Sequence, residues 1–186
     1  MSTGTLLAII IPIAAVVALI ALAVALTMRR RRRLRERFGP EYDRTVEEAG
    51  GRRAAEHELS AREKRHASLD IQPLADSAKD RYAREWVGVQ EEFVDRPVDA
   101  VHDADRLVTS LMHERGYPTE GYEQQMRDLS VRHGRTLEHY RVAHEINTLS
   151  TAQRATTEQL RGAMVHYRAL FDELLSDGDQ AGPARA

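Results

Sequence analysis

The chain has 186 residues, 27 Lys and Arg against 29 Asp and Glu, and no cysteine. That absence excludes a disulfide frame, a thiolate zinc site, a cysteine nucleophile and a lipid anchor through Cys. From residue 38 onward 20 basic residues stand against 28 acidic ones, net −8, which excludes a broad nucleic-acid face, because duplex binding needs a basic surface to release counterions.

The five residues MSTGT, a short external tail in this reading, precede the dominant feature of the chain, LLAIIIPIAAVVALIALAVAL from Leu6 to Leu26. These 21 residues carry no charge, and at about 1.5 Å per residue they reach roughly 31 Å, one hydrocarbon core. Their 13 Leu, Ile and Val residues favour insertion by roughly 4 to 8 kcal/mol in total. The reading is a transmembrane anchor over 6–27, continuous through Pro12 because membrane helices tolerate proline. A cleaved signal peptide competes through the Ala-Leu-Ala and Ala-Val-Ala triplets between Ala21 and Ala25. It fits worse, since a signal has a basic start and a shorter apolar core. Ala14, Ala18, Ala21 and Ala25 form one small-residue face that suits close helix approach and hence a homodimer.

An arginine-rich juxtamembrane segment, 28–39, follows. Arg29, Arg30, Arg31, Arg32, Arg33, Arg35 and Arg37 against Glu36 give net +6. Positive charge is retained on the cytoplasmic side, so the N-terminus is expected outside and the body inside. The same seven guanidinium groups are expected to meet anionic inner-leaflet lipid, at about 1 kcal/mol each near the surface.

Gly39-Pro40 ends that helix, and 40–69 reads as a charged linker helix, mostly solvated and weakened at Gly50-Gly51. Beyond it, 70–176 reads as a helical bundle. One helix carries Tyr82, Trp86, Val89 and Phe93 at helical spacing. Asp95 is expected to cap a second, with Val98, Val101, Leu107, Val108, Leu111 and Met112 on its inner side. Thr119 opens a third with Tyr122, Met126 and Leu129. A fourth holds Leu137, Tyr140, Val142, His144 and Ile146 and fades into NTLSTAQRAT. Thr156 to Gln159 has capping-box spacing ahead of a last helix bearing Leu160, Met164, Tyr167, Leu170, Phe171, Leu174 and Leu175. Trp86, Phe93, Tyr140, Tyr167 and Phe171 are expected to share one core. The final residues, 177–186, read as a disordered tail. With no strand pattern and short Pro- or Gly-marked loops, the fold class is all-α: a transmembrane helix, a charged helix, then a four- to five-helix antiparallel bundle.

RFGPEYDR after an arginine block, WVGVQEEFVDRPVDAVHDADRLVTSLMHERGYP, and MVHYRALFDELL resemble an uncharacterised group of actinobacterial single-pass membrane proteins, some of whose members are labelled secreted. The resemblance runs from Leu6 to Leu175. It implies a membrane address and brings no activity, fold or site.

Catalytic and metal patterns are weak. His139 and His144 lie about 140° apart on a helix, unlike an HExxH pair. Asp99, His102, Asp103 and Asp105 cluster, but carboxylates in a first turn are expected from the helix dipole. No GxSxG, GxxxxGK[ST] or GxGxxG occurs, so no catalytic, cofactor or metal residue is assigned. The reading is a membrane-tethered, non-enzymatic interaction or scaffold module meeting anionic lipid and a protein partner. Two alternatives are an enzyme or small-ligand domain with a polar pocket between helices, and a cleaved, secreted helical protein. A nucleic-acid tether through the arginine block is the weakest reading.

Overall fold

The computed structural model describes the backbone of residues 3–176 and the side chains of residues 15–176. Among the described residues the fold is all-helical, with α1 Thr3–Phe38, α2 Pro40–Glu48, α3 Arg52–Ala67, α4 Asp76–Asp95, α5 Pro97–Glu114, α6 Tyr122–His133, α7 Leu137–Thr151 and α8 Thr157–Ser176. The tail read over 177–186 lies outside the described residues, as do the side chains of 6–14 within the apolar run. Among the described residues no helix is long and apolar enough to cross a membrane.

Four helices make the main core. α4 packs on α5, α5 on α8, and α8 on α7. Trp86 stacks on Phe171 with ring centroids 4.7 Å apart, and Tyr140 meets Tyr167 edge-on. Leu107, Val108, Leu111 and Met112 fill the centre, with Phe93 packed partly buried at the margin. Of the five aromatics expected to share a core, Trp86, Tyr140, Tyr167 and Phe171 lie within it and Phe93 packs against its edge.

The segment expected to be a solvated linker folds otherwise. It is two helices, broken at Gly50-Gly51, and they turn back on the end of α1. Leu34, Phe38, Tyr42, Leu59 and Val131 form a second core from α1, α2, α3 and α6. Leu34 sits inside the arginine run yet is 2% exposed, and Phe38, one turn later, is fully buried. An i, i+4 apolar pair on an otherwise charged helix supplies only a narrow stripe, which is enough here because three other helices close over it. Gly39 makes the reversal. Its φ of 54° lies in the left-handed region that glycine enters without steric cost, and Pro40 opens the next helix with the φ it already holds. α6 joins the two cores, with Met126 and Leu129 in the first and Val131 in the second.

Three helix ends differ from the sequence reading. Asp95 closes α4 instead of capping α5, whose N-cap is Arg96 without a side-chain cap; Pro97 holds Arg96 out of the helical region. α6 starts at Tyr122 after Gly121, at φ 84°, not at Thr119, whose carbonyl instead accepts a hydrogen bond from Gln125. α7 runs on through Asn147 to Thr151. The capping box is present: the Thr156 backbone N–H donates to Gln159 Oε1 at 2.8 Å, and the Gln159 N–H to Thr156 Oγ1 at 3.3 Å.

Candidate functional site

The arginine collar is the one site predicted from sequence, and the structure divides it in two. Four of its arginines are engaged by carboxylates. Arg32 pairs with Glu36 at 2.7 Å, Arg35 with Asp43 at 2.7 Å, and Arg33 and Arg37 both reach Glu63, at 3.9 and 3.2 Å. The Arg32 pair stays within α1, while those of Arg33, Arg35 and Arg37 fasten α1 to α2 and α3, a role that a lipid-facing reading of the block did not include. The remaining arginines have no carboxylate partner among the described residues. Arg30 donates to the Ser60 hydroxyl at 2.8 Å, Arg31 reaches the Tyr42 hydroxyl, and Arg29 has no ion pair among the described residues. The charge left for an external anion is therefore concentrated at Arg29 to Arg31, nearest the apolar run.

Above the collar, the described part of α1 is bare. Val16, Val17, Leu19, Ile20, Leu22, Val24, Leu26 and Met28 are each between 47% and 67% exposed. Ala18, Ala21 and Ala25, the described members of the small-residue face, are exposed as well, while Ala14 lies outside the described side chains. A contiguous apolar surface of this kind on one helix is rare on a soluble monomer.

Below the collar, charges are buried in pairs. Glu41 is 6% exposed and accepts from Arg62 at 3.3 Å and Arg141 at 3.2 Å. Arg62, 8% exposed, also meets Glu58 and Ser130. Glu41, Glu58, Arg62 and Arg141 line a cleft of about 360 Å³ with Arg44, Tyr122 and Arg127. Their polar atoms are directed at one another across α2, α3 and α7, so the cleft works as an ionic rivet between helices. Removing either partner would strand a buried charge.

A second polar row crosses α6 and α8. His133 Nδ1 lies 2.7 Å from Glu173 Oε1, and its Nε2 lies 3.1 Å from the Tyr117 hydroxyl. An ionised carboxylate only accepts, so His133 donates through Nδ1 and can accept the tyrosine proton at Nε2. Thr136 also donates to Glu173. Burial pushes the Glu173 carboxyl up, but the hydrogen bonds from His133 and Thr136 outweigh it and hold the group below the ordinary carboxylate range. His66 stacks edge-on to Tyr117 at 6.0 Å. Burial, with Arg132 and Arg37 nearby, pushes the His66 imidazole below its ordinary value. This row was invisible in the sequence, because His66, Tyr117, His133 and Glu173 come from four separate segments without a spacing rule.

The Asp99 to Asp105 cluster does not converge. Asp99 faces Arg96 at 3.9 Å and Asp103 pairs with Arg106. Asp105 accepts from the Tyr167 hydroxyl at 2.8 Å and faces His144 Nδ1 at 3.4 Å. Burial, with the Asp105 charge, pushes the Tyr167 hydroxyl far up, so it stays a donor. His139 lies against His166 on the surface, Nδ1 to Nδ1 at 2.8 Å, and not beside His144. Among the described residues no group of three or more His, Asp and Glu is placed to hold a metal. Comparison with known proteins found no matching family model, no matching curated protein and no matching solved structure.

Proposed function

We propose that the protein is a membrane-tethered, non-enzymatic interaction or scaffold module. In this reading α1 crosses the bilayer once with the N-terminus outside, and the helical body is held at the cytoplasmic face, where it meets anionic inner-leaflet lipid and a protein partner. One observation carries the reading: a single helix presents the exposed apolar side chains Val16 to Met28, passes through the arginine collar and ends rooted in the second core by Leu34 and Phe38. The uncharged sequence Leu6 to Leu26 supplies the spanning length, and the net +6 after it supplies the orientation. The arrangement of the cleft between α2, α3 and α7 favours scaffolding over catalysis there, since its charged groups Glu41, Arg62 and Arg141 are spent on joining helices.

Topology tests the reading directly. The native chain has no cysteine, so Ser2→Cys and Ser176→Cys variants each offer one thiol. With an impermeant maleimide on intact cells, the first is expected to label and the second only after lysis, while both stay in the membrane pellet through alkaline carbonate. Labelling of position 176 and not position 2 reverses the orientation. A mature chain in the culture fluid beginning near Leu26 overturns the tether.

A further inference from the structure

The hairpin formed by α2 and α3 points its tip at the end of the apolar run. As α1 proceeds from Arg30 to Arg37, its partners on α3 proceed from Ser60 to Glu63, so α1 and α3 run in the same direction. α2 runs back between them, with Glu41 beside Arg62 at its start and Tyr42 bonded to Glu56. Leu34 and Leu59 share the second core. Six residues before Leu34 stands Met28, and six before Leu59 stands Arg53, each offset being about 9 Å along its helix. Counting back seven residues from the Arg30–Ser60 contact sets Arg53 beside Ala23, so the two registers place Arg52 and Arg53 alongside the stretch of α1 from about Ala23 to Met28, where its exposed apolar side chains end.

Both residues are exposed and without an ion pair among the described residues. They occupy the first turn of α3, which has no acidic residue and where the helix dipole disfavours cations. With Arg29 and Arg30 they give four uncompensated arginines on one end of the body. The tip carboxylates are Glu48, held by Arg44 at 2.8 Å, and exposed Glu47. We infer that the tip of the α2–α3 hairpin, through Arg52 and Arg53, is a second membrane-contact element that takes anionic lipid headgroups beside the α1 collar. The inference rests on the tether proposed above, and the occupant follows from charge complementarity next to an apolar helix: guanidinium groups at headgroup depth meet lipid phosphate. Two contacts, one on α1 and one on the hairpin, would fix the tilt and rotation of the body against the bilayer.

The test uses the full chain with one introduced cysteine on α3, Ala54→Cys or Ala67→Cys. Both alanines are exposed and sit at opposite ends of the helix, about 20 Å apart. Each variant carries a fluorophore and is reconstituted into phosphatidylcholine vesicles with or without phosphatidylglycerol, containing a headgroup-attached spin-label quencher. In phosphatidylglycerol vesicles, quenching is expected to be several-fold stronger at position 54 than at 67. The difference should shrink in purely zwitterionic vesicles and disappear in Arg52→Glu/Arg53→Glu, whose far-UV helicity should be unchanged because both side chains are exposed. Equal quenching at 54 and 67 in a chain that floats with the vesicles overturns the hairpin contact and leaves the tether standing. Quenching at 54 that survives the double substitution overturns the assignment to Arg52 and Arg53. A chain that does not float overturns the tether and the hairpin contact together.

Discussion

Glu41 is the residue on which the second core turns. It is 6% exposed and accepts from two arginines on different helices. Glu41→Ala is expected to cost on the order of 3 kcal/mol, because it leaves buried Arg62 with partly exposed Glu58 as its remaining carboxylate. Glu41→Leu combined with Arg62→Met should recover most of that loss, since replacing a buried pair by apolar groups is close to neutral. Urea unfolding of the detergent-solubilised chain measures both. His66 supplies the pH dependence. Its folded pKa is depressed below the ordinary 6.5, by burial first and by Arg132 and Arg37 next, so the unfolded chain binds the proton more tightly. Stability from this group is present above about pH 6.5 and is lost as pH falls through the lower folded value. Glu173 adds a loss of the same sign below its ordinary 4.5. In His66→Gln, unfolding midpoints measured between pH 7 and 5 should decline less than in the native chain, while the steeper loss below 4.5 persists. An unchanged decline would place the effect elsewhere.

At the level of elements, the close approach of α6 to α1 depends on Gly134. A Cβ there would lie 2.4 Å from the Phe38 carbonyl oxygen, and that backbone, at the end of α1, cannot yield without separating the two helices. Gly134→Ala is expected to destabilise by about 1 to 3 kcal/mol as an overpacking substitution. Faster amide exchange near the end of α1 and the end of α6 would locate the damage. Gly134 is the C-cap of α6, a place where glycine is common, but its packing role needed the position of Phe38. The same contrast runs through the chain. The Tyr82-Trp86-Val89-Phe93 seam and the Thr156 to Gln159 box were readable because period and spacing are local properties. The folding of α2 and α3 was not, because their apolar stripe is thin and the burial of Tyr42, Ala55 and Leu59 depends on α1 and α6, remote in sequence. The arginine block shows the limit most clearly: a run of like charge identifies a collar, yet which guanidinium groups remain uncompensated is decided by Asp43 and Glu63 on later helices.

For the molecule as a whole, the consequence is a body with two cores and a rod inserted in the smaller one. Phe38 is fully buried there, while Trp86, the only tryptophan, reports on the larger core through its stack on Phe171. Phe38→Ala is expected to cost about 3 to 5 kcal/mol by cavity formation, and the loss should be local, because the main core holds α4, α5, α7 and α8 without any residue of α1 to α3. Hydrogen exchange in α2 and α3 should then accelerate well before any change in Trp86 emission, so that denaturation of the variant separates into two transitions. α6 sets the degree of separation, since Met126 and Leu129 bind it to one core and Val131 to the other. If Trp86 emission and α2–α3 exchange instead shift together, α6 couples the cores into one cooperative unit, and a force or tilt applied to α1 would be felt throughout the bundle. If they separate, α1 to α3 form a mount that can loosen while the main bundle remains folded.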